Sequence, residues 1–137
     1  MPVIKWRDSY SVGVQKFDDE HKVLLGLINE MFVIVRKGDD VEKLSVTINK
    51  LIQYTQEHFS DEEKALEEMN YPQLEEHKKI HSRLLHDVTA YKNRIDNRDE
   101  DTILVFYHFL RDWLLTHILE EDMQYKPFFA EENAKAA

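Results

Sequence analysis

Along four stretches of the chain, apolar residues recur at alternating steps of three and four, the spacing that lays one stripe along an α-helix. The first stripe reads His21, Leu24, Ile28, Met31, Val35, and the second Val41, Leu44, Ile48, Leu51, Thr55, His58, Glu62. The third runs Leu74, His77, His81, Leu84, Val88, Tyr91, Ile95, and the fourth Ile103, Phe106, Leu110, Trp113, His117. Helix-breaking punctuation separates them at "RKGDD" (36–40), "MNYPQ" (69–73) and "IDNRDED" (95–101). Asp18 or Asp19 is the expected cap of the first helix, Asp39 or Asp40 of the second, and Asp99 or Asp101 of the fourth. Pro72 suits the first turn of the third, and Asn70 tolerates the left-handed backbone that closes the second. A seam of threes and fours joined by short connections predicts an all-α, up-down-up-down antiparallel four-helix bundle. Residues 1–17 read as an N-terminal arm packed through Trp6 and Phe17, residues 18–129 as the bundle, and the remainder as a short tail of one domain.

Polar residues interrupt these stripes. Five histidines and a glutamate stand where a bundle wants leucine, and each costs several kcal/mol if buried without a partner. Their depth is informative. His21 opens helix one, His58 and Glu62 lie late in helix two, His77 and His81 open helix three, and His117 lies late in helix four. With alternating helix directions all six side chains reach the same end of the bundle, facing inward. His86 and His108 lie nine residues from His77 and His117, about 180° around the helix, and are expected outside the cluster.

Composition narrows the chemistry. The 137 residues include 42% hydrophobic and 33% charged, a globular balance in a chain long enough for a single core. A formal net charge of -9 without a basic patch argues against nucleic acid. No apolar run approaches a bilayer span, and the start lacks a secretion signal, so the expected location is the cytoplasm without membrane insertion. With no exposed apolar stripe, a monomer is expected. Cysteine is absent, so a metal would be held by imidazole and carboxylate. A zinc-protease reading of "HKKIHSRLLH" fails because Lys78 occupies the place of the catalytic glutamate. Five imidazoles exceed one tetrahedral zinc site, and nitrogen donors disfavour calcium and magnesium. Two ions of the iron, manganese or copper type fit the donor count. A second carboxylate is expected in "HILEEDMQY". Glu121, four after His117, shares its face in an ideal helix, whereas Asp122, five after, would need a wide turn or a loosened helix end. Spacing alone leaves both open.

The stretches "WRDSYSVGVQKFDDEHKVLLGLIN", "HFSDEE", "YPQLEEHKKIH" and "WLLTHILEEDMQY" resemble the hemerythrins, in particular single-domain bacteriohemerythrins, over about Trp6 to Phe129. The departures are small: Leu66 stands where methionine is common and Asn70 where glycine is. The resemblance implies Asp122 as the second carboxylate. It implies one iron held by His77, His81 and His117 and another by His21 and His58, bridged by Glu62, Asp122 and an oxide or hydroxide. With about six positions per iron, one is left open on the two-histidine iron, where O₂ can bind. Leu24, Ile28, Trp113, Leu114 and Ile118 are then expected to form an apolar O₂ pocket that slows autoxidation. No Glu-x-x-His pair of the ferritin-like oxidases occurs, which favours reversible binding without catalysis. The expected function is O₂ storage, delivery or scavenging, with an oxygen-consuming protein as a possible partner. The alternatives are oxygen or redox sensing through a partner contact, and a diiron peroxidase, nitric-oxide reductase or ferroxidase.

Overall fold

A computed structural model describes residues 4–37, 41–96 and 100–130. Four helices carry the chain: α1 (Gln15–Lys37), α2 (Val41–Glu68), α3 (Leu74–Asp96) and α4 (Glu100–Thr116). α1 packs on α2 and α4, and α3 on the same two, closing a four-helix ring. The stripes face its axis: Leu24, Ile28, Met31, Leu44, Ile48, Leu51, Leu84, Val88, Phe106 and Leu110 are all buried in one cluster. Burial of each such side chain contributes roughly 1.5–3 kcal/mol, enough to outweigh modest helix propensities.

The helix ends show where local chemistry departs from expectation. α1 begins at Gln15, so Phe17 and Asp18 lie inside the helix and the arm ends earlier than residue 17. The Asp18 carboxylate ties the arm down instead of capping: it accepts the Val12 N–H (2.9 Å) and the Ser11 hydroxyl (2.6 Å). Asn29 clasps the arm further on, accepting the Ile4 N–H (2.9 Å) and donating to the Ile4 carbonyl (2.7 Å). Pro72 sits in the turn before α3, which starts at Leu74. Asp39, Asp40 and Asp99 lie outside the described residues, and Asp101 falls within α4.

Asn70 behaves as its chemistry suggests. Its φ of 57° is left-handed. Its N–H reaches the Glu67 carbonyl (3.0 Å), and the Tyr71 N–H reaches back to Leu66 (3.0 Å). These two bonds form a Schellman closure, and buried Leu66 and Tyr71 share an apolar cluster over it. That cluster also holds Val12, Phe17 and Tyr125, making an end plug separate from the main core.

Beyond Thr116 the fourth helix changes pitch. His117–Glu121 form a single π-helical segment, followed by a 3₁₀ turn, Asp122–Tyr125, and a last helical turn over 126–130. The Asp122 N–H points to the His117 and Ile118 carbonyls. A π turn takes up the extra residue that an α-helix cannot, so positions five apart come to one face.

Candidate metal centre

The stripes and the π turn bring seven side chains together between the main core and the end plug. His21, His58, Glu62, His77, His81, His117 and Asp122 are all buried, with Glu62 and Asp122 fully so. His86 is exposed and His108 half-buried, both outside the cluster. Asp122, not Glu121, turns inward. Its carboxylate lies 2.8 Å from His117 Nε2, 3.1 Å from His77 Nε2 and 3.1 Å from His21 Nε2. Glu62 approaches His77 Nε2 (2.5 Å), His81 Nε2 (3.2 Å) and His58 Nε2 (3.3 Å). The atoms resolve into two overlapping groups, each with its ligand atoms within 4.8 Å of one another. One is Glu62, His77, His81, His117 and Asp122; the other is His21, His58, Glu62 and Asp122. Both carboxylates belong to both groups.

Aromatic rings from above and below fix the imidazoles. Phe59 stacks on His81 (3.6 Å between centroids, 0°) and Trp113 on His117 (4.5 Å, 14°) from the core side. Phe17 meets His58 edge-on and Tyr125 lies against His77 from the plug side. Tyr125 also donates its hydroxyl to Glu62 Oε2 (3.1 Å). Burial, with the charges of Glu62 and Asp122, pushes that phenol well above its ordinary pKa, so it stays a donor. Outside the cluster, Glu20 accepts from His58 Nδ1 (2.8 Å) and Glu63 from His81 Nδ1 (2.9 Å). Sequence reasoning missed Tyr125, Glu20 and Glu63. The two glutamates adjoin site residues in sequence, but each serves a histidine on the neighbouring helix.

Residues 12–129 match the hemerythrin HHE cation binding domain. The chain belongs to the hemerythrin family. Among its relatives, the bacteriohemerythrin of Clostridium acetobutylicum is 30% identical over 88% of this chain and 96% of its own length. The myohemerythrin of Theromyzon tessulatum is 30% identical over 89% of this chain and 90% of its own. A crystal structure of wild-type hemerythrin superposes with a TM-score of 0.82 at 24% identity, covering 92% of this chain and 97% of that one, so the bundle is the hemerythrin fold.

The donor set of this hemerythrin-family chain fits the diiron centre that the family implies. His21 Nε2, His58 Nε2 and both Asp122 oxygens are buried and find no hydrogen-bond partner, although the distances above are short. Close approach without alignment is expected of lone pairs aimed at a common point. His81 Nε2 and His117 Nε2 lie 3.1 Å apart, another convergence that a shared cation satisfies. Electrostatics agree. Burial opposes charge on His58, yet the hydrogen bond to Glu20 and the nearby carboxylate of Glu62 raise its pKa to about 9. Burial is likewise outweighed at His77, by the nearby carboxylates of Asp122 and Glu62, giving about 10. At His117 the negative charges of Asp122 and Glu62 close by overcome burial and give about 9. Burial would raise Glu62, but the surrounding imidazoles hold its carboxyl well below the usual range. Asp122 is held low too, against burial and the charge of Glu62, by His117 and His21. Without a cation, protons occupy the positive role, and a metal must displace them.

A small cavity of about 20 Å³ lies in the bundle interior. Its walls are Leu24, Ile28, Leu51, Thr55, Leu84, Leu85, Val88, Leu110, Trp113 and Leu114. Four of the five expected pocket residues line it. Ile118 is fully buried in the main core but does not line this cavity.

Proposed function

We propose that this chain binds O₂ reversibly at a non-haem diiron centre, as a store, a delivery protein or a scavenger. The observation that carries this reading is the pair of overlapping donor groups sharing Glu62 and Asp122. His77, His81 and His117 would hold one iron, His21 and His58 the other, and the two carboxylates would bridge them. When bound, the iron pair supplies the electrons for reversible O₂ uptake. The protein's part is asymmetry and dryness. The His21–His58 side has one imidazole fewer, which leaves room for a ligand there.

Thr55, Leu24, Leu84 and Leu114 each lie three residues from a histidine of the cluster, so the cavity adjoins the site from the core side. Its volume exceeds the roughly 10–15 Å³ needed to hold one water-sized molecule. A buried water needs about two to four polar partners. Thr55 is the one side chain with a hydroxyl in this wall, and that hydroxyl is already donated to the Leu51 carbonyl (2.6 Å). The space therefore disfavours water and accepts an apolar diatomic. No carboxylate, imidazole or amine lines it, which supports binding over turnover. Neither the sensing nor the enzymatic alternative draws support from these features.

Titration of the deoxygenated ferrous protein with O₂ tests the proposal. A new absorption band should appear on exposure and vanish when O₂ is removed, over repeated cycles. Irreversible bleaching in the first cycle would refute reversible binding.

A further inference from the structure

Two of the five clustered imidazoles are held from behind by a carboxylate. His58 turns Nε2 toward Glu62 (3.3 Å) and Nδ1 toward Glu20 (2.8 Å). His81 does the same, with Nε2 toward Glu62 (3.2 Å) and Nδ1 toward Glu63 (2.9 Å). Both pairs cross between helices: Glu20 on α1 reaches α2, and Glu63 on α2 reaches α3. The arrangement is distributed evenly. His58 belongs to the donor group with His21, and His81 to the group with His77 and His117, so each group contains one anchored ring. By contrast, His21 Nδ1 and His117 Nδ1 are buried without a hydrogen-bond partner. Glu20 and Glu63 are 13% and 25% exposed at the side chain, so each stands between a buried ring and solvent.

We infer that Glu20 and Glu63 are positioning residues, each fixing one metal-binding imidazole per iron through its remote nitrogen. The inference rests on the diiron reading above. An Nδ1–H donated to a carboxylate commits that ring to ligation through Nε2 and prevents rotation about χ2. For His81 the lock is double, because Phe59 lies flat against the ring face. The negative charge behind each ring also makes it a stronger electron donor, which favours the more highly charged state of the metal. The two carboxylates thus do two separable things: the hydrogen bond orients, and the charge tunes.

Substitution separates these effects. Glu20→Ala and Glu63→Ala remove both, whereas Glu20→Gln and Glu63→Gln keep an amide oxygen that still accepts the Nδ1–H. Iron affinity is read by competition against a ferrous chelator, and the midpoint potential of the iron pair by spectroelectrochemical titration. Melting of the metal-free variants reports folding. Each alanine variant should lose about 10–100-fold in iron affinity. The glutamine variants should keep most of that affinity but show a raised midpoint potential. Alanine variants with unchanged affinity and potential, in a parent protein that holds iron, overturn this inference alone. So does an affinity loss accounted for by destabilised metal-free protein with an unmoved potential. A parent protein that fails to hold iron overturns the diiron reading and this inference together.

Discussion

The choice between Glu121 and Asp122 turns on a single backbone feature, and substitution at both positions tests it. Asp122 is fully buried and lies within 3.1 Å of three imidazole nitrogens, while Glu121 is only half-buried, outside the cluster. In the metal-free protein, Asp122→Ala leaves His77 and His117 without that counter-charge. Removing one partner of a buried pair costs about 3–5 kcal/mol. For a chain of this length, 1 kcal/mol moves the melting temperature by roughly 4 °C, so the expected drop is roughly 10–20 °C. Glu121→Ala should stay within about 0.5 kcal/mol, as surface substitutions usually do. Iron content adds an independent reading: Asp122→Ala should bind less than the parent and Glu121→Ala the same amount. Thermal melts of the metal-free forms and metal analysis of the loaded forms give both. Iron loss in Glu121→Ala but not in Asp122→Ala would refute this, for then the helix end is α and the π turn does not set the site.

His86→Ala and His108→Ala should leave iron content unchanged by metal analysis, since both rings lie outside the cluster. Asn70→Ala should cost about 1–2 kcal/mol in chemical denaturation, because a side-chain-bearing residue other than Asn strains at φ 57°, while Asn70→Gly should not. The pH dependence of the metal-free protein follows from the raised imidazoles and depressed carboxyls. Stability from His58, His77 and His117 is complete below their ordinary pKa of about 6.5 and fades as pH rises through about 9 to 10. Stability from Glu62 and Asp122 is present above their ordinary pKa values and fades as pH falls below them. Metal binding requires neutral imidazoles, so the melting temperatures of loaded and metal-free protein should diverge from pH 6 to 9. A gap that narrows over that range would contradict the protonation states assigned here.

Much of this was legible because burial in a bundle follows periodicity. A stripe of threes and fours selects the inward face, and a histidine on it is conspicuous against leucine. Depth could be read as well, since helix direction alternates when connections are short. Three things were not legible. Asp18 looks like a cap in sequence because aspartate satisfies free N–H groups. It does so here, but for Val12 of the arm, with α1 already begun at Gln15. The π turn at His117–Glu121 has no marker in "HILEE", so an ideal helix favours the wrong carboxylate on geometry alone. The contacts of Glu20 and Glu63 cross from helix to helix, and the sequence does not encode which neighbour a partly exposed side chain will reach. The cavity shows the same limit: a stripe tells which side chains face inward, but not where they fail to fill the space.

In the proposed centre, imidazoles from four helices hold two iron ions that share Glu62 and Asp122. Anomalous diffraction at the iron edge from crystals of the loaded protein tests it directly. Two peaks should appear per chain, one among His77, His81 and His117 and one beside His21 and His58, with both carboxylates between them. A single peak, or peaks away from these seven side chains, would contradict it.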